Sequence, residues 1–261
     1  MRQFDLKRGA GMVIGMVHCL PLPGTSGFSG NYQEILDRAV EDAVTLEKAG
    51  VDALIVENMG DTPFTALLEK SQVAALTAAA VKVREAVKIP IGIDAAFNDC
   101  EAALSIAGIC GADFVRVPVF VDTVIFSDGI IYPCANKCMN FRKEMGLEHV
   151  KILADVQVKH ATMLNSQITA EMSAKDAAGN GADAIIVTGA VIGAETPIDM
   201  LKRVQKTVNI PVLAGSGVNR ENIHEQLRIA DGCIIGSSLK KDGVLTNPID
   251  YELVREVIEA K

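Results

Sequence analysis

Short apolar runs recur along the chain with room for one helix between each pair. Four share an opening: AGVDALIVEN (49–58), CGADFVRVPV (110–119), NGADAIIVTG (180–189) and IADGCIIGSS (229–238). Each begins with Gly or Ala plus Asp and passes into strand-forming residues. A glycine there suits the left-handed residue that ends a helix, and the run after it reads as a buried parallel strand. A second set, KIPIGIDA (88–95), VKILADV (150–156) and NIPVLAGSG (209–217), also reads as strands. Two of these carry Ile-Pro, and proline is tolerated at a strand's first residue. GMVIGMVH (11–18) completes eight. Apolar residues at three- and four-residue spacing predict helices over 32–49, 73–87, 99–110, 168–180, 197–208, 220–229 and 248–260. Asp99, and Pro197 or Thr196, supply start signals. Residues 122–133 read as a longer loop, followed by a helix near 135–145. Strict alternation over eight units implies a parallel sheet with helices outside, and closure removes both sheet edges. The predicted fold is a (β/α)8 TIM barrel, a single domain over residues 1–261. An open doubly wound sheet is the alternative, and no GxGxxG follows the first strand to support it.

Composition sharpens this picture. The 261 residues suit one barrel of about 250. Apolar residues are 49% but aromatics only 4%, with no Trp, so the core must be aliphatic. A net charge of −8 argues against a broad nucleic-acid surface, though a local anion pocket remains open. The six cysteines contain no CxxC pair; Cys134 and Cys138, four apart, read as a packed pair, with a metal pair as the minor alternative. The N-terminal residues do not read as a signal peptide, and no apolar stretch is long enough to predict a membrane span. A cytoplasmic protein is expected.

Reactive groups of a barrel cluster where strands end. Those positions hold His18, Glu57, Asn58, Asp94, Asn98, Asp99, Arg116, Asp155, Lys159, His160, Thr188 and Gly189. The last two strands end in Gly215-Ser216-Gly217 and Gly236-Ser237-Ser238, with Lys240 just beyond. Small residues there free backbone N–H groups and let an anion approach closely, which makes the pair a candidate phosphate site with Lys240 adding charge; plain turn closure is the alternative. ADVQVKH (154–160) places a carboxylate near a lysine, for acid–base work, for a nucleophilic amine, or as a loop-ordering ion pair. Glu57 is a candidate acid or base, and Asp61 reads as either that or a turn residue. His18 is a candidate ligand, acid–base group or structural hydrogen-bonder. His149 and His224 receive no role. No cofactor is expected, although Mg²⁺ among Glu57, Asp94 and Asp155 stays open as a minor option.

GMVHCLPLPG, IVENMGDTPF, ADVQVKHA, IIVTGAVIG, VLAGSGV and IIGSSLKKDG together resemble the BtpA/SgcQ family, from Gly11 to about residue 250. The resemblance implies a ribulose-phosphate-binding-type barrel that prefers phosphate. One branch of that family is linked to photosystem I biogenesis and another to sugar-uptake genes. Two positions depart from it. Phe97 stands where the family usually has Arg before Asn-Asp, and Pro118 where Asn is common. If that Arg holds an anionic substrate, this chain handles a different one.

The leading expectation is an isomerase, epimerase or aldolase-type enzyme acting on a phosphorylated small metabolite, with Glu57, Asp155 and Lys159 carrying proton transfer. A non-enzymatic assembly or regulatory factor is the second reading, and a nucleosidase or hydrolase the third. Ionisable groups converging on one mouth favour chemistry over scaffolding. Self-association into a homo-oligomer is also expected.

Overall fold

The computed structural model describes residues 4–189 and 195–261. Eight parallel strands close a barrel: β1 (Met12–His18), β2 (Ala53–Glu57), β3 (Ile91–Asp94), β4 (Phe114–Val117), β5 (Lys151–Val156), β6 (Ala184–Val187), β7 (Val212–Ala214) and β8 (Gly232–Ile235). Each pairs with its sequence neighbours, and β1 closes the ring on β8. The helices outside are α1 (Tyr32–Ala49), α2 (Lys70–Ala86), α3 (Cys100–Cys110), α4 (Ala135–Glu144), α5 (Ala170–Gly179), α6 (Ile198–Gln205), α7 (Ile223–Leu227) and α8 (Tyr251–Glu259). This is a TIM barrel, as the alternation predicted. No helix among the described residues is long and apolar enough to cross a membrane.

Helix ends follow local chemistry that spacing alone missed. The α2 helix begins three residues earlier than expected because Glu69 and Gln72 form a reciprocal capping box. Asp99 lies just outside α3, where its carboxylate accepts from the Ala102 amide. Thr169 and Asp250 trim α5 and α8 in the same way. The region 122–133 is not a plain loop. Val124–Phe126 and Gly129–Ile131 form an antiparallel hairpin, and Thr162–Met163 from beyond β5 adds a third strand.

Period-two alternation sorts the strand residues into two cores. Val13, Val17, Leu54, Ile93, Val115 and Ile185 face the helices. Ile14, Met16, Ile55, Phe114, Leu153, Ile186, Leu213 and Ile234 fill the interior, where the Phe4 ring stacks on Phe114 at 4.3 Å. Both faces are buried, which is why the strands read as continuous apolar runs. Cys134 and Cys138 are packed and buried as expected, and Cys100 joins them. Thiol hydrogen bonds from Cys134 and Cys138 pull Cys100 down to about 4.

Interior volume is tight beside Phe114. A Cβ at Gly92 would lie 2.2 Å from the Phe114 ring. Gly92→Ala is therefore expected to destabilise the fold by about 1–3 kcal/mol through overpacking, read from the midpoint of urea unfolding. An unchanged midpoint would mean that the ring moves aside freely.

Candidate functional site

The interior alternation continues one step past the apolar layers. The next inward positions are His18, Glu57, Asp94, Arg116, Asp155, Thr188, Gly215 and Gly236, one from each strand end. Six carry polar side chains and two carry none. His18 and Glu57 are register partners on β1 and β2, as are Glu57 and Asp94 on β2 and β3. His18, Glu57, Asp94, Arg116, Gly215 and Gly236 of this layer line a cavity of 570 Å³ at the C-terminal mouth, where barrel enzymes place their sites.

Arg116 organises the floor. Its Nε and Nη2 donate to the two oxygens of Asp155 at 2.9 and 2.8 Å, a bidentate fork. Its Nη1 lies 3.5 Å from Asp94. All three groups are buried. Burial alone would pull the guanidinium down, but Asp155, Asp94 and Glu57 hold it above its ordinary range. Burial, followed by the Glu57 charge, pushes Asp94 well above the ordinary carboxylate range and so favours its protonated form. One oxygen of Asp94 has no hydrogen-bond partner among the described residues. Burial also raises Glu57, against Arg116 and Lys159. His18 is pushed down to about 3 by burial and the nearby cations, so it is a neutral imidazole. Its Nε2 stands 3.4 Å from Glu57. Lys159 is lowered by burial and then by Arg116. His160 lines the same cavity and is lowered by burial, Lys159 and Arg116. Gln157 and His160 hold positive φ of 48° and 71°, an unusual backbone that turns this loop over the mouth.

Across the cavity lie the two glycine–serine turns. Gly215, Ser216, Gly217, Gly236, Ser237 and Ser238 all line it. The Gly215 amide completes the ladder to Val187, and the Ser216 hydroxyl accepts from the Gly189 amide at 2.6 Å. The Gly217, Gly236, Ser237 and Ser238 amides have no acceptor among the described residues. The last two open the 3-10 turn Ser237–Leu239. Glycine is required at 236 by close approach: a Cβ there would sit 3.0 Å from the His18 ring.

Several expected site residues are engaged elsewhere. Lys240 does not line this cavity: its ammonium is buried 2.6 Å from Asp42 on α1, the carboxylate that offsets the cost of burying it. Asp99 caps α3, and Asn98 bonds the Val119 backbone in both directions. Asn58 bridges Asp61 and the Ala96 amide. Asp61 also accepts from Leu22 and Gln72, which makes it a loop-ordering hub. The Ser238 hydroxyl donates to Val218, leaving only its amide for a ligand. Thr188 accepts from the Lys159 amide at 3.2 Å and steadies that loop. Asp155 pairs with Arg116 rather than Lys159. The carboxylate trio considered for Mg²⁺ is thus centred on a guanidinium, and among the described residues no cluster is arranged to hold a metal ion. Part of the IIVTGAVIG motif, 190–194, lies outside the described residues.

The hairpin was the missed contributor. Phe126 and Ser127 line the cavity, and Phe126 stacks on Phe97 at 4.0 Å. Asp128-Gly129 between two apolar runs was the available signal for it.

Fold and site together define a (β/α)8 barrel with a pocket lined by charged side chains at its C-terminal mouth. The BtpA family model matches residues 10–261, and the chain belongs to that family. An uncharacterised protein of Pyrococcus abyssi is 41% identical, over 94% of this chain and 93% of its own. The photosystem I biogenesis protein BtpA of Synechocystis is 36% identical, over 95% of this chain and 87% of its own. Among solved structures, (S)-3-O-geranylgeranylglyceryl phosphate synthase from Thermoplasma acidophilum superposes with a TM-score of 0.63 at 14% identity, covering 96% of this chain and 93% of that one. N-(5'-phosphoribosyl)anthranilate isomerase from Pyrococcus furiosus does so with 0.59 at 14%, covering 96% and 97%. These structures share the fold.

Asp155→Ala would leave the buried Arg116 without its fork. A loss of about 3–5 kcal/mol is expected, measured by chemical denaturation. A loss below 1 kcal/mol, on the order of an exposed pair, would mean that the guanidinium finds water instead.

Proposed function

We propose that this chain is an enzyme that binds a phosphorylated small metabolite and moves a proton on it, as an isomerase or epimerase does. The observation that carries the reading is the single cavity shared by four unpartnered turn amides and a buried acid–base set. Amides at the start of a short helical turn suit an anion. The names of the fold neighbours include phosphate esters, which supports phosphate as that anion.

With the phosphate held by the amides of 217 and 236–238, the carbon skeleton lies over the floor. Ionised Glu57 is the base that takes a proton from a carbon beside a carbonyl. Asp94, kept neutral by burial, is the acid that gives one to the developing oxyanion. The neutral His18 beside Glu57 donates a hydrogen bond without adding charge. Arg116 holds Asp155 and Asp94 in place. Such acid–base work supplies about 10²–10⁴-fold in rate.

Lys159 favours a second reading, because burial lowers its amine and so favours the free form that condenses with a carbonyl. Borohydride trapping with a keto sugar phosphate separates the two: an adduct at Lys159 supports an aldolase-type step. Carbon–hydrogen exchange without an adduct supports proton transfer. The Synechocystis relative's name points to an assembly role, but a scaffold would have no use for a buried acid whose free oxygen faces no protein partner.

Inorganic phosphate is expected to raise the melting temperature, and Ser237→Asp to weaken phosphate binding at least about tenfold by placing like charge at the amides. No shift with phosphate or any sugar phosphate would sink the anion reading.

For the acid–base set, NMR in D2O should detect deuterium entering a phosphorylated aldose or ketose. Exchange should rise with pH as Glu57 ionises, above its ordinary carboxylate range, and fall as Asp94 loses its proton. Asp94→Asn should cut exchange about 10²–10⁴-fold. Asp94 binds its proton more tightly folded than unfolded. Its stabilising contribution is therefore full below the unfolded pKa and lost as pH rises through the folded one. Asp94→Asn should flatten that alkaline decline. An unaltered pH–stability curve would show that Asp94 is ionised in the fold.

A further inference from the structure

The pocket is built for more than a sugar phosphate. The turns after β7 and β8 hold the free amides, and the strands diametrically opposite in the ring are β3 and β4. The loops after those strands carry Phe97 and Phe126, stacked at 4.0 Å and 1° between planes. Phe64 and Val158 belong to the same apolar cluster, and Met59 and Pro118 also line the cavity. Three of the chain's eight phenylalanines thus line one cavity. Phe126 and Phe64 are only partly buried, so apolar surface is left facing the space.

The cavity volume, 570 Å³, falls in the range of about 300–1,000 Å³ that takes a drug-sized ligand. A sugar's hydroxyls laid against Phe, Met, Pro and Val side chains would lose water and gain no partner, which costs free energy. A flat apolar ring meets the opposite condition. It stacks on an aromatic face and displaces water from it.

We propose that the ligand is a phosphate ester whose far end is a flat, apolar ring seated against Phe126 and Phe97. The phosphate docks on the turns after β7 and β8, the reacting carbons cross the charged floor, and the ring lies on the wall beyond. The proposal rests on the phosphate reading above, and its test separates the two.

The probes are inorganic phosphate, 4-phenylbutyl phosphate and 4-cyclohexylbutyl phosphate, titrated into the full chain by calorimetry. The two esters match in length and differ in the flatness of the terminal ring. The phenyl ester should bind about 3–10-fold more tightly than the cyclohexyl ester. Phe126→Leu keeps apolar volume under the hairpin and removes the ring face, so it should bring that ratio to about one. Phe126→Ala, with circular dichroism as the check on folding, should do the same. Phosphate binding with equal affinity for the two esters would overturn the ring proposal alone. A phenyl preference that survives Phe126→Leu would overturn the assignment to this wall. Binding of none of the three would overturn both this proposal and the phosphate reading.

Discussion

A guanidinium enclosed in the barrel, Arg116, sets the terms on which three carboxylates share one small volume. Its fork holds both oxygens of Asp155, and its remaining nitrogen reaches Asp94. Two basic side chains, Arg116 and Lys159, face three acidic ones, and burial with the neighbouring acids pushes Asp94 well above the ordinary carboxylate range. Without the cation the floor would be three repelling acids, or one fully neutral set with no base. With it, an acid and a base stand as register partners on β2 and β3. The separation of roles therefore follows from desolvation and one cation rather than from any difference in residue type.

The same arrangement explains why the pocket is asymmetric. Six strand ends contribute polar side chains to the top layer, while β7 and β8 contribute Gly215 and Gly236. Those glycines leave room where a side chain would collide with Ile186 or His18, and Gly236 brings a backbone amide to the cavity. The hairpin beyond β4 closes the other side with rings. Phe97, which departs from the residue the family resemblance implies, is explained by that hairpin. It is buried in a cluster with Val119, Val124, Ile131 and Val158, stacked on Phe126, where a guanidinium would have no partner among apolar neighbours.

Buried ion pairs also decide which charged residues are not available. Lys240 follows the last strand closely enough to look like part of the anion site, yet Asp42 on α1 claims it. Asp61, Asn58, Asn98 and Asp99 spend their polar atoms on loop amides and helix ends. Long βα loops carry many backbone groups that need partners, and short polar side chains at strand ends are the nearest supply. Position at a strand end therefore marks where chemistry can occur and says little about which side chains are left free for it.

Much of the molecule was legible in its sequence because the determining forces are local. Strand runs, glycine punctuation and helical spacing depend on a few neighbouring residues, so the eight units and their order could be read directly, and with them the closed barrel. The inward period continued to His18, Glu57, Asp94, Arg116 and Asp155, which placed the candidate set at one mouth. The hairpin was legible in principle through Asp128-Gly129, but its role as a wall was not, since that depends on Phe97 from another loop. Pairing was beyond the sequence altogether. Asp155 lies four residues from Lys159 and 39 from Arg116, and it binds the latter; Lys240 reaches a partner 198 residues away. A charged side chain chooses among partners by distance and dielectric, and both are set only when the barrel closes.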